Sequence, residues 1–281
     1  MVVPRVGRRE CAYPVGTGAT EDAASGRAAR PDDTARVSPS PPPSFATVAL
    51  RYDELRPVDE SWWQVFDALV REGDLRGRRV LDVGCGTGAL AAALAERAVC
   101  RVWGIDSSEE MLAVARANVA GVRFKQARAA QLPYKDGWFE RVVLRMSLHL
   151  FDRPRALRES RRVLGPSGRL AIATGDPEHF GELWIHRWFP TIASVDRERF
   201  PTKERLIDEL DAAGFDSVHV DVLQQDRTIT RDQALAKIRG RAFSTFQLIP
   251  PAEYEAGLVR AEAELAPVTA APSRWLIVVA G

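Results

Sequence analysis

Cysteine is scarce in this 281-residue chain: only Cys11, Cys85 and Cys100 occur. They form no CxxC pair and no metal-ligand spacing, so neither a disulfide framework nor a zinc site is written into the sequence. No metal is expected, and a reducing, cytoplasmic setting is the default for such a chain. An excess of one charge is also missing. A net charge of +1 supplies no broad field for nucleic acid and none for a membrane surface. No apolar run approaches the roughly 18 residues of a membrane helix; a run such as Leu276 to Ala280 is strand-sized. No internal repeat is found. What remains is ordinary globular material, 46% hydrophobic and 27% charged, enough for one generous domain with its own core.

Residues 1–44 differ in kind. They are rich in Pro, Gly, Ala, Ser and Arg and close on Ser-Pro-Ser-Pro-Pro-Pro-Ser (38–44). No apolar segment suits a secretory signal, and Glu10, Glu21, Asp22, Asp32 and Asp33 make the stretch too acidic for a transit peptide. Such a composition buries too little apolar surface to offset chain entropy. A disordered extension is expected over 1–44, ahead of a folded domain over 45–281.

From Phe45 onward the pattern alternates. Trp62, Trp63, Phe66, Leu69 and Val70 recur at helical spacing. Strands are expected at 79–84, 101–106, 122–127, 141–146, 168–174, 217–222 and 274–280. Helices are expected at 88–97, 108–117 and 153–164, with another opening at Thr202 and ending at Gly214. Apolar strands separated by helices argue for an α/β fold with a mostly parallel sheet covered on both faces. Two stretches exceed what the sheet requires: an aromatic, irregular segment at 176–201 and an insertion at 223–272. Both are expected to form a small cap over the ligand edge of the core, 45–175.

The string Val80-Leu-Asp-Val-Gly-Cys-Gly-Thr-Gly-Ala-Leu90 joins the first of these strands to a helix through a glycine-rich turn. Backbone N–H groups at such a turn make a cradle at the positive end of a helix dipole, and glycine lets a ligand approach closely. Gly84-x-Gly86-x-x-Ala89 satisfies a dinucleotide fingerprint. The same residues also read Asp82-x-Gly84-x-Gly86-x-Gly88, with an acid two positions before the first glycine. A pyrophosphate has no use for that carboxylate, whereas a ligand carrying an ammonium and a sulfonium does. Asp82 therefore argues against a nicotinamide-dependent oxidoreductase. Asp106, at the end of the second strand, suits ribose hydroxyls in either kind of site, and an acid there also favours the following helix dipole.

The segments "VLDVGCGTG", "GIDSSEEML", "LPYKDGWFERVV", "LHLFDRP" and "RESRRVLGPSGRLAI" resemble, in order and spacing, the signature segments of class I S-adenosylmethionine-dependent methyltransferases. The subgroup resembled is the small-molecule type with a helical cap. That resemblance implies a Rossmann-like, seven-stranded, mostly parallel sheet with its last strand antiparallel, and S-adenosylmethionine as cofactor. It implies that Gly84, Gly86 and Gly88 form the floor of the cofactor site and that Asp82 reaches the methionine amino group. By the same likeness Asp106, with Ser107 beside it, binds ribose, Met111 packs on adenine and Leu144 lines the methionine arm. Tyr52 and Arg56 resemble the N-terminal segment that closes over the cofactor. One departure stands out. Related sequences carry an acid-alanine pair where this chain has Arg128-Ala129. Arginine has no acceptor for the adenine amino group, which leaves stacking on the ring or backbone recognition.

Methyl transfer from a sulfonium is chiefly a matter of positioning, and a base is needed only for an acceptor protonated at neutral pH. His149, just beyond the fourth strand, stands where an acceptor approaches; its other reading is a cap for the next helix. Asp176, Glu178, His179 and His186 are weaker candidates. The arginines of 153–162 read as a solvated helix face or as phosphate ligands. Trp184, Trp188, Phe189, Phe243 and Phe246 suit either an acceptor pocket or the cap's own core. Leu144 to Leu148 lack the Asn/Asp-Pro-Pro-aromatic run of enzymes that methylate bases, so nucleic acid is not the expected acceptor. A small organic molecule, such as a secondary metabolite, is. A protein of this fold that binds the cofactor without transferring a methyl group, as a cyclase-type enzyme would, is the main alternative.

Overall fold

The computed structural model describes residues 44–46 and 48–281. The disorder expected over 1–44 falls, apart from Ser44, outside these residues. Described elements follow in order: α1 (Tyr52–Leu55), α2 (Glu60–Glu72), β1 (Arg79–Val83), α3 (Ala89–Arg97), β2 (Arg101–Asp106), α4 (Glu109–Asn118), β3 (Arg123–Gln126) and β4 (Phe139–Arg145). Then come α5 (Arg153–Val163), β5 (Leu164–Gly175), α6 (Pro190–Arg199), α7 (Lys203–Ala212) and β6 (Val218–Gln225). The chain closes with β7 (Thr228–Thr230), α8 (Arg231–Arg239), α9 (Pro251–Glu264), β8 (Val268–Ala270) and β9 (Ser273–Ala280).

The main sheet has the order β3-β2-β1-β4-β5-β9-β6. Its first five strands run parallel, and β9 lies antiparallel between β5 and β6. This is the Rossmann-like α/β architecture expected from the sequence, last strand included. Side chains alternate across the sheet. Leu81, Val83, Val142, Leu144 and Ile172 pack on one face with Leu157 of α5 and Leu206 and Leu210 of α7. Val80, Val143, Ala171 and Ala173 pack on the other with Phe66 and Leu69 of α2 and Leu90 and Leu94 of α3.

Helix starts follow local chemistry. Asp59 caps α2 by accepting from the Trp62 N–H at 2.9 Å, and Thr202 caps α7. Two of the arginines of α5 turn out to be structural, while Arg155 and Arg158 lie exposed on its face. Arg153 grips Glu209 of α7 through two hydrogen bonds of 2.7 and 2.9 Å, and Arg162 reaches Glu159, Asp136 and two backbone carbonyls. Neither the solvated-face nor the phosphate reading describes these two residues.

Both stretches beyond the sheet contain more order than their composition suggests. The segment read as irregular holds α6, and β6 continues to Gln225, so position 223 belongs to the strand. The insertion between β6 and β9 is closed at its base by a two-stranded antiparallel ribbon of β7 and β8, which the sequence reading lacked. Ile185, Trp188, Phe189 and Ile192 from the first stretch share one hydrophobic cluster with Leu235, Ile238, Phe246 and Tyr254 from the second.

Candidate active site

The carboxyl ends of β1, β2, β4 and β5 open into a cavity of about 560 Å³, roofed by the N-terminal segment and by residues of the cap. Parallel α/β sheets bind ligands at this edge.

The floor is the turn after β1. Gly84, Gly86 and Gly88 all have left-handed backbones, with φ of 76°, 54° and 87°, a conformation costly for residues with a Cβ. They serve different ends. A Cβ on Gly84 would lie 2.6 Å from the Ser147 Cβ, and one on Gly88 would lie 3.0 Å from Phe124. At Gly86 a Cβ would meet nothing within 4 Å, and its open side belongs to the cavity. The idea that all three glycines make way for a ligand is thus corrected. Gly84 lines the cavity but its missing side chain makes room for the β4–α5 connection, while Gly88 is absent from the lining and sets α3 against β3 and α4.

Asp82 follows from strand alternation. Leu81 and Val83 enter one core, so Asp82 faces the opposite side of the sheet at its carboxyl end. It is 1% exposed, and its Oδ2 has no hydrogen-bond partner among the described residues. Burial raises its pKa to about 7, reinforced by the Asp106 charge and opposed by Arg145. Asp106 is half-buried at the end of β2. One of its oxygens accepts from the Gly86 N–H and the other from the Ser108 N–H, each at 2.9 Å. It therefore ties the glycine turn to the start of α4 while lining the cavity. Burial pushes its pKa upward against those N–H donors. The cap of α4 is Ser108, which accepts from the Met111 N–H at 3.2 Å, so the helix expected from 108 begins at Glu109. Ser107, Met111, Arg128 and Ala129 all line the cavity. Arg128 is exposed and makes no side-chain hydrogen bond or ion pair among the described residues.

The expectation for Leu144 is corrected. It is fully buried among core residues on the sheet face that turns away from the cavity. Its neighbour Arg145 takes the place on the cavity wall. A one-residue error in a strand exchanges faces, and that is the whole of the difference.

Tyr52 and Arg56 both line the cavity. Arg56 donates twice to the Ala242 carbonyl, at 3.0 and 2.8 Å, and lies 5.3 Å from the Phe243 ring, which ties the N-terminal segment to the cap. Asp53, not singled out from sequence, accepts a 2.6 Å hydrogen bond from the Thr87 hydroxyl of the glycine turn. An acid in a short helix carries no signal of that partner, which lies 34 residues away.

At the far end of the cavity His149 sits in a short turn after β4 and stacks on Phe200, with ring centroids 4.0 Å apart and planes 15° from parallel. It is not the helix cap: Asp152 caps α5 by accepting from the Arg155 N–H. The Nδ1 of His149 is buried without a hydrogen-bond partner. Burial, with the charges of Arg199 and Arg56, holds its pKa well below 6.5, so the ring is neutral at physiological pH. Asp176 and His179 also line this end but are engaged. Asp176 lies 3.2 Å from Arg274 Nε, and Arg274 donates to His179 Nε2 at 2.6 Å. Glu178 and His186 lie outside the lining, and so do Trp188, Phe189 and Phe246, which build the cap core; Phe243 alone of the five aromatic candidates lines this cavity. No group of three or more His, Cys, Asp or Glu suited to a metal occurs among the described residues.

A cationic, ribose-bearing ligand fits this set of groups: Asp82 keeps an oxygen free for it, Asp106 stands beside it, and Gly86 leaves the floor open. A family model described as a methyltransferase domain matches residues 81–172. The methyltransferase GfsG of Streptomyces halstedii is 40% identical over 125 residues, 42% of this chain and 45% of that protein, so the match spans less than half of that relative. A demethylmenaquinone methyltransferase of Thermus thermophilus is 34% identical over 209 residues, 64% of this chain and 94% of that protein. Among solved structures, the [4+2]-cyclase SpnF superposes with a TM-score of 0.56 at 22% identity, over 84% of this chain and 93% of that one, a likeness of fold. Identity that runs through nearly the full length of the Thermus protein is likeness to an entire enzyme and not to one motif, and this chain belongs to the class I S-adenosylmethionine-dependent methyltransferases.

Proposed function

We propose that the enzyme methylates a small, flat organic acceptor, such as a secondary metabolite, held between the cofactor and His149. The observation that carries this reading is the position of a neutral, unpartnered imidazole on the wall of the same cavity as the glycine turn. S-adenosylmethionine, when bound, supplies a methyl group on a sulfonium. Asp82 would hold its ammonium and Asp106 its ribose hydroxyls, with Met111 and Ala129 against the adenine and Arg128 stacked on its face. Tyr52 and Arg56 would close the N-terminal side and exclude water. Residues 176–201 and the insertion after β6 act together as the cap that selects the acceptor, since they share one core.

His149 serves as the proton acceptor. Its depressed pKa keeps it in the basic form across the neutral range, and Phe200 fixes its plane. An acceptor with an ionisable hydroxyl suits it, because the charges of Arg199 and Arg56 that disfavour imidazolium also favour an oxyanion.

The test is formation of S-adenosylhomocysteine with a panel of phenols, enols and quinols. His149→Gln is expected to lower kcat by roughly 10²–10⁴-fold, with partial recovery at pH values where the acceptor ionises unaided. Cofactor binding with no methyl transfer to any of the panel, alongside conversion of a substrate without methylation, would support the cyclase-type alternative.

A further inference from the structure

Arg145 carries a charge that nothing in the fold explains. Its Nε is fully buried, and the side chain makes no hydrogen bond and no ion pair among the described residues. Its guanidinium carbon lies 4.8 Å from the Trp62 ring and 5.5 Å from the Trp275 ring. These flat walls hold the group in place and compensate part of its lost hydration, yet they accept none of its hydrogen bonds. A guanidinium offers five N–H donors in a rigid fork; Arg145 is half-buried on the cavity wall, and its buried Nε, left without an acceptor, carries a desolvation cost. Such an arrangement persists where a ligand supplies the acceptors.

The register of the sheet shows which ligand group that is. Asp82 of β1 pairs with Val143 of β4, and Arg145 is one side-chain step further along the same face. The carboxylate of Asp82 also has an unpartnered buried oxygen. Two opposite charges therefore line one wall of the cavity, within two residues of register, without pairing to each other among the described residues. A zwitterion complements them: an ammonium toward Asp82 and a carboxylate toward Arg145.

We infer that Arg145 binds the α-carboxylate at the amino-acid end of the cofactor and makes the site selective for ligands that carry it. This rests on the reading of the cavity as the cofactor site. Arg145 is a binding residue, while Trp62 and Trp275 position it.

The test compares two ligands that differ in the amino-acid end. S-adenosylhomocysteine carries it; 5′-methylthioadenosine keeps the nucleoside and thioether without it. Affinities are measured by calorimetry at pH 8 for the full chain and for Arg145→Gln and Arg145→Lys. The expected result is a ~10–100-fold loss of S-adenosylhomocysteine affinity in Arg145→Gln, the size of one charged hydrogen-bonded contact. Affinity for 5′-methylthioadenosine should stay within about twofold, which also shows that the variant is folded. Arg145→Lys should fall between the two. An equal loss for both ligands, or none for either, overturns the inference. So does unchanged cofactor affinity with a raised KM for the acceptor, which would assign Arg145 to an anionic acceptor. A wild-type chain that binds neither ligand would refute the cofactor-site reading itself.

Discussion

At the residue scale, Asp82 sets function against stability. Folding carries its carboxyl from an ordinary 3.8 to about 7, chiefly by burial. The folded state then holds a proton that the unfolded chain releases, so this residue's contribution to stability is full below about pH 4 and is lost as pH rises toward 7. The loss is on the order of 4 kcal/mol. Asp82→Asn should therefore melt higher than the parent at pH 8 and nearly alike at pH 4, in the absence of ligand. The same carboxylate must be ionised to receive an ammonium. S-adenosylhomocysteine affinity should rise with pH through 7, level off above about 8 and be roughly tenfold weaker at pH 6 than at that plateau. In Asp82→Asn the dependence should vanish and affinity stay low; calorimetry between about pH 5.5 and 8.5 checks both.

At the element scale, the glycine turn and the strands around it divide labour between fold and ligand. Gly88 is the left-handed residue from which α3 departs, and its missing Cβ lets that helix lie close to Phe124 and Ala115. Gly88→Ala combines a strained backbone with a clash and should cost about 2–4 kcal/mol of stability. Gly86→Ala carries only the backbone strain, roughly 1–2 kcal/mol, but places a methyl group in the cavity. Thermal melts should single out Gly88, and cofactor titrations should single out Gly86. If the two variants lose stability equally and Gly86→Ala binds normally, the turn has no such division of labour. Strand β4 repeats the lesson. Its apolar run is legible as a buried strand, yet nothing in Val142-Val143-Leu144-Arg145 says which alternate set lies on the cavity side. That was settled by the pairing of Asp82 with Val143.

At the scale of the whole molecule, the cavity depends on three stretches far apart in the chain. The N-terminal segment is bound to the glycine turn through Asp53 and Thr87, and to the cap through Arg56 and Ala242. A ligand that bridges these parts should stabilise all of them together. S-adenosylhomocysteine at a hundredfold excess over its Kd should add about 2.7 kcal/mol, a rise in Tm of roughly 5–10 °C for a domain of this size. NAD at the same concentration should leave the melt unchanged. Equal stabilisation by NAD would revive the dinucleotide reading of the glycine turn.

The alternation of strands and helices, the place of the glycine turn and the two acids at the strand ends, Asp82 and Asp106, were legible in the residues alone. These features are local: apolar period, turn chemistry and spacing act within a few residues of chain. Long-range packing settled that Arg145 and not Leu144 lines the cavity, that Gly84 and Gly88 accommodate protein while Gly86 stays open, and that Asp152 relieves His149 of a capping role. It also decided that most of the cap aromatics are core. Each of these depends on which distant segment packs against the residue, and a side chain's neighbours across a sheet or under a cap are set by the packing of the whole chain rather than by the residues beside it.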